Sequence, residues 1–284
     1  MFSRSIICTD LSPSSDSIVA CAGALGVLGV REAVLTHVID VGELTPSSSR
    51  RDVDALFGRQ AADLEAAGIR VRVDTSVGYP SYAIEEVAQR HNAELIVIGS
   101  HRKGIFATTF SGSVSSDVVR ISTRPVLLAV LVALGSAEQS QAVCQRLLQR
   151  VLVPTDLSQR SSIVSEYLLA MARKGLAAVD LLHVVDNSYE NGAEHRRRDA
   201  TERLLEFANA LTDAGVRVNT DVVIGSPDRE AALRAARGEH TLIVMAPHCS
   251  TTGEYPLGSV TNAVVRSTMA PVLLIPPNCR HEEI

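Results

Sequence analysis

The chain carries the hexapeptide Ile-Cys-Thr-Asp-Leu-Ser at residues 7–12 and again, as Val-Pro-Thr-Asp-Leu-Ser, at residues 153–158. The two copies lie 146 residues apart, and further segments recur at the same spacing. These are residues 35–40 with 181–186, 112–114 with 258–260, 118–120 with 264–266 and 125–128 with 271–274. A period of this length is the size of a domain, whereas solenoid repeats are much shorter. The sequence therefore predicts one domain duplicated in tandem.

Within each copy, short apolar runs alternate with amphipathic segments of helical period. In the first copy this pattern predicts strands at 5–9, 33–39, 70–75, 94–100 and 125–130, and helices at 14–28, 50–67, 79–91 and 113–122. The second copy predicts strands near 150–155, 178–185, 216–224, 241–247 and 271–276. Ser14 or Ser15 can cap the first helix. Strands separated by helices indicate right-handed crossovers, so we predict an α/β fold of two tandem five-stranded parallel-sheet domains.

The repeat also predicts where the domains begin and end. We place the first domain at residues 1–131, a linker at 132–149, the second domain at 150–277 and a tail at 278–284. Helical spacing at Val143, Leu147 and Leu148 indicates an amphipathic connector within the linker.

Composition excludes several classes of protein. The net charge is −5 and there is no Trp, which argues against a basic surface or an aromatic platform for nucleic acid. The longest apolar run, residues 125–134, is about half of what a membrane span needs. The five cysteines show no paired spacing, so we expect free thiols rather than a disulfide framework or a zinc site. Together these features predict a cytoplasmic protein without nucleic-acid or membrane partners.

Ligands of open parallel sheets bind beyond the carboxyl ends of the strands. Thr9 and Asp10 end the first strand, where the Asp10 carboxylate could accept hydrogen bonds from ribose hydroxyls. Val38, near the end of the second strand, would offer an apolar face to a base. Gly99, near the end of the fourth, would allow close approach of a ligand to the backbone.

The last candidate element is the Gly112-Ser113 pair at the start of a helix. Free amide groups and the helix dipole make such a start an anion site suited to phosphate. The residues have a structural alternative, because Gly-Ser can simply cap the fourth helix and Asp10 the first. Duplication by descent would preserve structural residues as well as binding residues.

These residues resemble the universal stress protein family over nearly the whole chain, as two tandem domains. The most specific part runs from Gly99-Ser100-His101 through Gly112-Ser113-Val114 to residues 125–128. ATP-binding members of that family carry a Gly, two residues, a second Gly, nine residues and then Gly-Ser. The resemblance implies that Asp10 binds ribose and Val38 contacts adenine. It also implies strand-four contacts at Ile98, Gly99 and His101 and a phosphate cradle at Gly112, Ser113 and Val114.

Both copies depart from the family pattern. Arg102 stands where the second Gly is expected, and its side chain either blocks the loop or, beside Lys103, binds phosphate. In the second copy Met245 replaces the first Gly and His248 replaces the second. We therefore expect the first site to bind nucleotide better. The weaker candidates retained in the second copy are Asp156, Val184, Gly258, Ser259 and Val260.

The sequence contains no nucleophile elbow and no HExxH motif. We therefore predict no catalytic residues and no metal ligands, and at most slow ATP hydrolysis or autophosphorylation. The resemblance implies Rossmann-like, adenine-nucleotide-binding domains that form an intramolecular pseudo-dimer through their fifth strands. It implies a stress-response regulatory protein that takes ATP or AMP, with or without Mg²⁺, as cofactor. Its partners would be an adenine nucleotide, a second tandem chain in a homodimer, and a protein that the sequence does not name.

Two other functions remain open. A scaffold that binds no nucleotide would act through its surface, and Arg102, Met245 and His248 favour it. A slow ATPase would be recognised by turnover with bound Mg²⁺, at a rate far below about 1 s⁻¹.

Overall fold

The structure is a computed structural model that describes residues 1–40, 50–100, 114–130, 137–158, 162–187, 192–247 and 258–276. The chain forms two compact units, Met1–Gln145 and Arg146–Ile284. Within the described ranges, every helix is too short or too polar to cross a membrane.

The first unit alternates strands and helices as the sequence predicts. Its elements are β1 (Arg4–Cys8), α1 (Pro13–Gly23), β2 (Glu32–Asp40), α2 (Arg50–Ala66), β3 (Arg70–Gly78), α3 (Pro80–Arg90), β4 (Leu95–Ser100), α4 (Val114–Ile121), β5 (Val126–Val130) and α5 (Ala137–Gln145). The strands pair in parallel in the order β3-β2-β1-β4-β5. Strand β1 therefore lies between β2 and β4, which is where the direction of the crossovers reverses.

The second unit repeats this topology. Its elements are β6 (Val151–Pro154), α6 (Ser162–Ala172), β7 (Ala178–Asp186), α7 (Ala193–Asp213), β8 (Arg217–Gly225), α8 (Pro227–Ala236), β9 (Leu242–Met245), α9 (Ser259–Ser267) and β10 (Val272–Leu274). The parallel order is β8-β7-β6-β9-β10. The predicted fold class, two tandem α/β units with five-stranded parallel sheets, is confirmed.

The first helix differs from its prediction in both its start and its end. The N-cap residue is Ser12, with Pro13 in the first turn, so the prediction of Ser14 or Ser15 was wrong. The Ser15 hydroxyl lies inside the helix and donates to the Ser12 carbonyl oxygen at 2.7 Å. The helix ends at Gly23, and the chain continues as a single 3-10 turn that Gly29 closes with φ 99°.

The central strands of each sheet are buried on both faces. In the first unit Ile6 and Ile7 of β1, with Ile96 and Val97 of β4, are fully inaccessible to solvent. Their register pairs Ile6 with Ile96 and Ile7 with Val97. Burial on both faces explains the continuous apolar runs of these strands. It also fixes the relative position of the two carboxyl ends.

A disulfide joins Cys21 of α1 to Cys144 of α5, with the Cα atoms 5.2 Å apart. The expectation of free thiols was therefore wrong for this pair. A sequence separation of 123 residues gave no spacing signal, because the two helices meet only in the folded unit. Among the described residues Cys8 is a free thiol, and burial raises its pKa to about 12.

The second unit holds a polar cluster around the buried Asp180 of β7. The Asp180 carboxylate accepts hydrogen bonds from His240 Nε2 at 2.7 Å, Asn219 Nδ2 at 2.7 Å and Arg150 Nε at 2.8 Å. The side chains of Asp180 and His240 are only 6% and 2% exposed. Burial alone would raise the pKa of Asp180, but the three hydrogen bonds outweigh it and hold that pKa below its usual value.

Acidification from about pH 7 to about pH 5 is expected to destabilise the second unit through His240. Burial lowers the pKa of His240, and the neighbouring Asp180 offsets this only in part. In the unfolded chain the same ring takes up a proton near pH 6.5. The unfolded state therefore binds more protons below that pH, and stability falls as the pH decreases toward the lower folded pKa.

Urea unfolding followed by circular dichroism at each pH would measure this loss. A His240→Gln variant, whose amide does not titrate, should lose less stability over the same interval. Equal pH dependence in the two proteins would contradict the assignment to His240.

Candidate functional site

The candidate site of the first unit lies at the carboxyl ends of β1 and β4, which are neighbours in the sheet. This is the position at which doubly wound sheets bind their ligands. Thr9 and Asp10 directly follow β1, while Gly99 and Ser100 end β4. In the second unit Thr155 and Asp156 follow β6, and Met245 ends β9.

Thr9 is buried and holds the loop after β1 from within. Its Oγ1 lies 2.9 Å from both Ser15 Oγ and Gln60 Oε1, and it accepts a hydrogen bond from the Leu11 amide at 3.0 Å. The His37 ring donates from Nδ1 to the Thr9 carbonyl oxygen at 3.0 Å. The Thr9 hydroxyl is thus hydrogen-bonded inside the protein, and its described contacts position the loop.

Asp10 is exposed, and its carboxylate is held by the residue two positions later. Oδ1 accepts from the Ser12 amide at 3.0 Å and from the Ser12 hydroxyl at 2.6 Å, which forms an Asx turn. Between them Leu11 adopts φ 60°, in the left-handed region that a leucine rarely occupies. Its side chain is buried, so the core holds this conformation in place. Residues in such strained conformations cluster at functional sites.

The second unit reproduces this loop in detail. The Asp156 carboxylate accepts from the Ser158 amide at 2.9 Å, and Leu157 has φ 57° with a buried side chain. His183 Nδ1 donates to the Thr155 carbonyl oxygen at 2.9 Å. Both units therefore present an aspartate in the same constrained turn at the end of their central strand.

The structure places the other predicted residues as follows. Val38 and Val184 are half-buried in β2 and β7, Ile98 is buried and Gly99 half-buried at the end of β4, and Val114 is the exposed first residue of α4. Gly258 precedes α9, in which Ser259 is exposed and Val260 is half-buried. His101, Arg102, Gly112 and Ser113 lie outside the described residues, as does His248.

The start of α9 has the geometry expected of an anion site. Gly258 is its N-cap residue, with φ −56° and ψ 160°, and none of the described side chains caps the helix. The amide groups of the first turn are therefore directed outward from the helix start, at the positive end of its dipole. Backbone amides in this arrangement bind phosphate or carboxylate.

Met245 distinguishes the two clefts. Its side chain is buried at the end of β9, where the first unit has Gly99 at the end of β4. The Met245 carbonyl oxygen accepts from the Ile275 amide at 2.9 Å, so the backbone there is tied to the segment after β10. The close approach to the backbone that glycine permits is therefore replaced in the second unit by a packed side chain.

The described part of the site offers no activated nucleophile. Cys8, at the end of β1, is buried with a pKa raised to about 12, so its thiol stays protonated. Nor do the described ranges bring together three or more His, Cys, Asp or Glu side chains that could hold a metal ion. The arrangement combines hydrogen-bond acceptors, half-buried valines and a helix start, which suits binding.

A sequence model of the universal stress protein family matches residues 1–130 and again residues 147–276. The chain belongs to the universal stress protein family. Each match covers all the strands of one unit, so the family model accounts for both halves of the chain.

Individual relatives agree with this assignment. A universal stress protein of Methanocaldococcus jannaschii is 26% identical over 152 residues, which are 45% of this chain and 94% of that protein. One from Mycolicibacterium smegmatis is 33% identical over 129 residues, 42% of each chain. The crystal structure of a universal stress protein from Archaeoglobus fulgidus matches with a TM-score of 0.70 at 22% identity, covering 95% of both chains. This last likeness concerns the fold.

Sequence reasoning missed the left-handed leucines and the contacts that hold the site loops. His37 and His183 each donate a ring hydrogen bond to a threonine carbonyl oxygen at the end of the central strand. The Thr-Asp-Leu-Ser repeat itself was the available signal, because a turn retained in both copies marks a constrained conformation.

Proposed function

We propose that the protein binds an adenine nucleotide, ATP or AMP, at the first unit and acts as a nucleotide-responsive regulatory protein in stress adaptation. The observation that carries this proposal is the constrained Asp10 turn at the end of the central strand. It places an exposed aspartate at the position where sheets of this topology bind nucleotides. The family's ATP-binding members have their ribose ligand at the matching position.

The remaining described residues suit the other parts of a nucleotide. Half-buried Val38 offers an apolar surface for the base, and Gly99 leaves room beside the backbone. By analogy with the start of α9, the helix start near Val114 would receive phosphate, with Gly112 and Ser113 supplying amide groups. Arg102 and Lys103 would add positive charge near a phosphate.

A second candidate function, a scaffold that binds no nucleotide, is favoured for the second unit by one observation. The buried Met245 fills the position of the first family glycine. We therefore propose that nucleotide binds the first unit preferentially, and that the second unit contributes a folded surface.

Calorimetric titration of the full chain with ATP and with AMP, in the presence and absence of Mg²⁺, tests the proposal. We expect one site of micromolar affinity. Asp10→Ala should weaken it about tenfold to a hundredfold, because a hydrogen bond to a charged group contributes about 1.5–3 kcal/mol. Asp156→Ala is the matched control, since it removes the same carboxylate from the same turn in the second unit.

Two results would overturn this assignment. Binding that survives Asp10→Ala but is lost in Asp156→Ala would move the site to the second unit. No binding up to millimolar nucleotide would favour the scaffold, and turnover of ATP with Mg²⁺ would be measured in the same samples to detect a slow ATPase.

A further inference from the structure

Helix α5 packs along α1 and is joined to it by the Cys21–Cys144 disulfide. Of its described side chains, only Ser140 and Cys144 are fully buried, and Val143 is half-buried. The exposed side chains are Glu138, Gln139, Gln141, Ala142 and Gln145. A helix of nine residues is marginally stable in isolation, so its docking depends on what holds it to α1.

The disulfide lies at the centre of that contact. Cys21 and Cys144 are both fully inaccessible to solvent, and Ser140 lies one helical turn before Cys144 on the same face. A reductant or oxidant can therefore reach the sulfur atoms only when α5 leaves α1. Because α5 buries few apolar side chains, this opening can be local and leave the sheet intact.

We propose that Cys21 and Cys144 form a reversible redox site that latches α5, the segment leading in sequence to the second unit, onto α1. In the oxidised protein the helix is docked, and in the reduced protein residues 137–145 separate from α1. The inference is independent of nucleotide binding.

A small-molecule disulfide such as oxidised glutathione can oxidise the two cysteines by thiol–disulfide exchange. One cysteine thiolate attacks the small disulfide, forms a mixed disulfide and releases one small thiol. The second cysteine then attacks the mixed disulfide, which forms the Cys21–Cys144 bond and releases the second small thiol. Two electrons pass from the protein to the small disulfide, and the two cysteine protons end on the two released thiols. Dithiothreitol reverses the reaction.

Cys8 supplies the matched control within the same unit. It is buried in β1, and its raised pKa keeps the thiol protonated near neutral pH. Reactivity of a thiol follows its thiolate fraction and its access to solvent, so Cys8 should stay reduced. Cys8→Ala should therefore leave the response unchanged, whereas Cys144→Ala should abolish it.

The full chain is tested after treatment with oxidised glutathione and after treatment with dithiothreitol. Thiols counted in denaturant should rise from three in the oxidised protein to five in the reduced one, out of five cysteines in the sequence. Hydrogen exchange read by mass spectrometry should show protection of residues 137–145 falling about tenfold or more on reduction. Protection of α3 should not change. Cys144→Ala should match the reduced protein under both treatments.

Three results would overturn the proposal. The first is a count of five free thiols after treatment with oxidised glutathione. The second is equal hydrogen-exchange protection of α5 in the oxidised and reduced proteins, and the third is loss of that protection across β1 and β4 on reduction. The last would mean that the bond supports the whole unit rather than one helix.

Discussion

Replacing Asp180 with alanine is expected to lower the free energy of unfolding of the second unit by about 1–3 kcal/mol. This is a substantial part of the roughly 5–15 kcal/mol that stabilises a typical domain. The variant leaves three hydrogen-bond donors without the carboxylate that they share, and two of them belong to Arg150 and His240.

The size of the effect follows from burial. Removing the carboxylate leaves the buried His240 ring without the acceptor for its Nε2–H, and an unsatisfied buried donor costs about 1–3 kcal/mol, whereas Arg150 is 41% exposed and can be hydrated. His240 already has one ring nitrogen, Nδ1, buried without a hydrogen-bond partner among the described atoms. Loss of the Asp180 carboxylate would leave its Nε2 in the same condition. Glu239, at 3.6 Å from Arg150, could compensate only one of the donors.

Asp221→Ala is the control, because Asp221 pairs with Arg234 in the same unit but its side chain is 41% exposed. Such a surface pair contributes about 0–1 kcal/mol. Hydrogen exchange of β7 and β9 amides reports on the second unit separately from the first. If Asp180→Ala and Asp221→Ala destabilised the unit equally, the cluster around Asp180 would not have the role assigned to it.

Replacing Gly112 with aspartate is expected to weaken binding of ATP or AMP a hundredfold or more. Gly112 lies outside the described residues, so the geometry of its counterpart Gly258 supports the argument. Gly258 has φ −56°, which any residue adopts, and aspartate is a favoured N-cap residue. The substitution should therefore preserve the fold while its carboxylate occupies the amide groups meant for phosphate.

Charge repulsion sets the magnitude. Two unit charges about 4 Å apart interact by about 4 kcal/mol at an effective dielectric constant of 20. A hundredfold loss of affinity corresponds to about 2.8 kcal/mol. Gly258→Asp makes the same change in the second unit and should leave nucleotide affinity as in the wild type. Calorimetric titration of both variants with ATP and AMP measures these affinities. Unchanged binding in Gly112→Asp together with loss of binding in Gly258→Asp would refute the prediction.

Much of the fold could be predicted from the sequence because its signals are local. Strand β4 is a continuous apolar run and β1 is a short one, and helices of regular period separate the strands, which predicts a parallel sheet. The repeat then supplied the second unit. The predicted start of the first helix was wrong because Pro13, directly after Ser12, fixes the first turn. The serines that look like caps in the sequence therefore lie inside the helix.

Features that depend on several distant segments could not be predicted. The repeat aligns Asp180 with Val34, a core residue of β2, so nothing in its surroundings along the chain indicates a charged cluster. The four members of that cluster come from four separate segments. The Cys21–Cys144 bond likewise joins two segments that are distant in the sequence. At the candidate site, the meeting of the ends of β1 and β4 could be predicted from the topology alone. The turn at Leu11 could not, because it depends on burial of the leucine side chain.

The paired leucines also bear on how a duplicated protein diverges. Leu11 and Leu157 are fixed by packing beneath the loop, since each combines a left-handed backbone with a buried side chain. Selection for folding alone would preserve both turns, even in a copy whose cleft has lost the family glycine to Met245. A tandem gene of this kind can therefore lose ligand contacts one by one in a single half while its loop architecture persists. That half remains a folded template from which a new specificity can evolve.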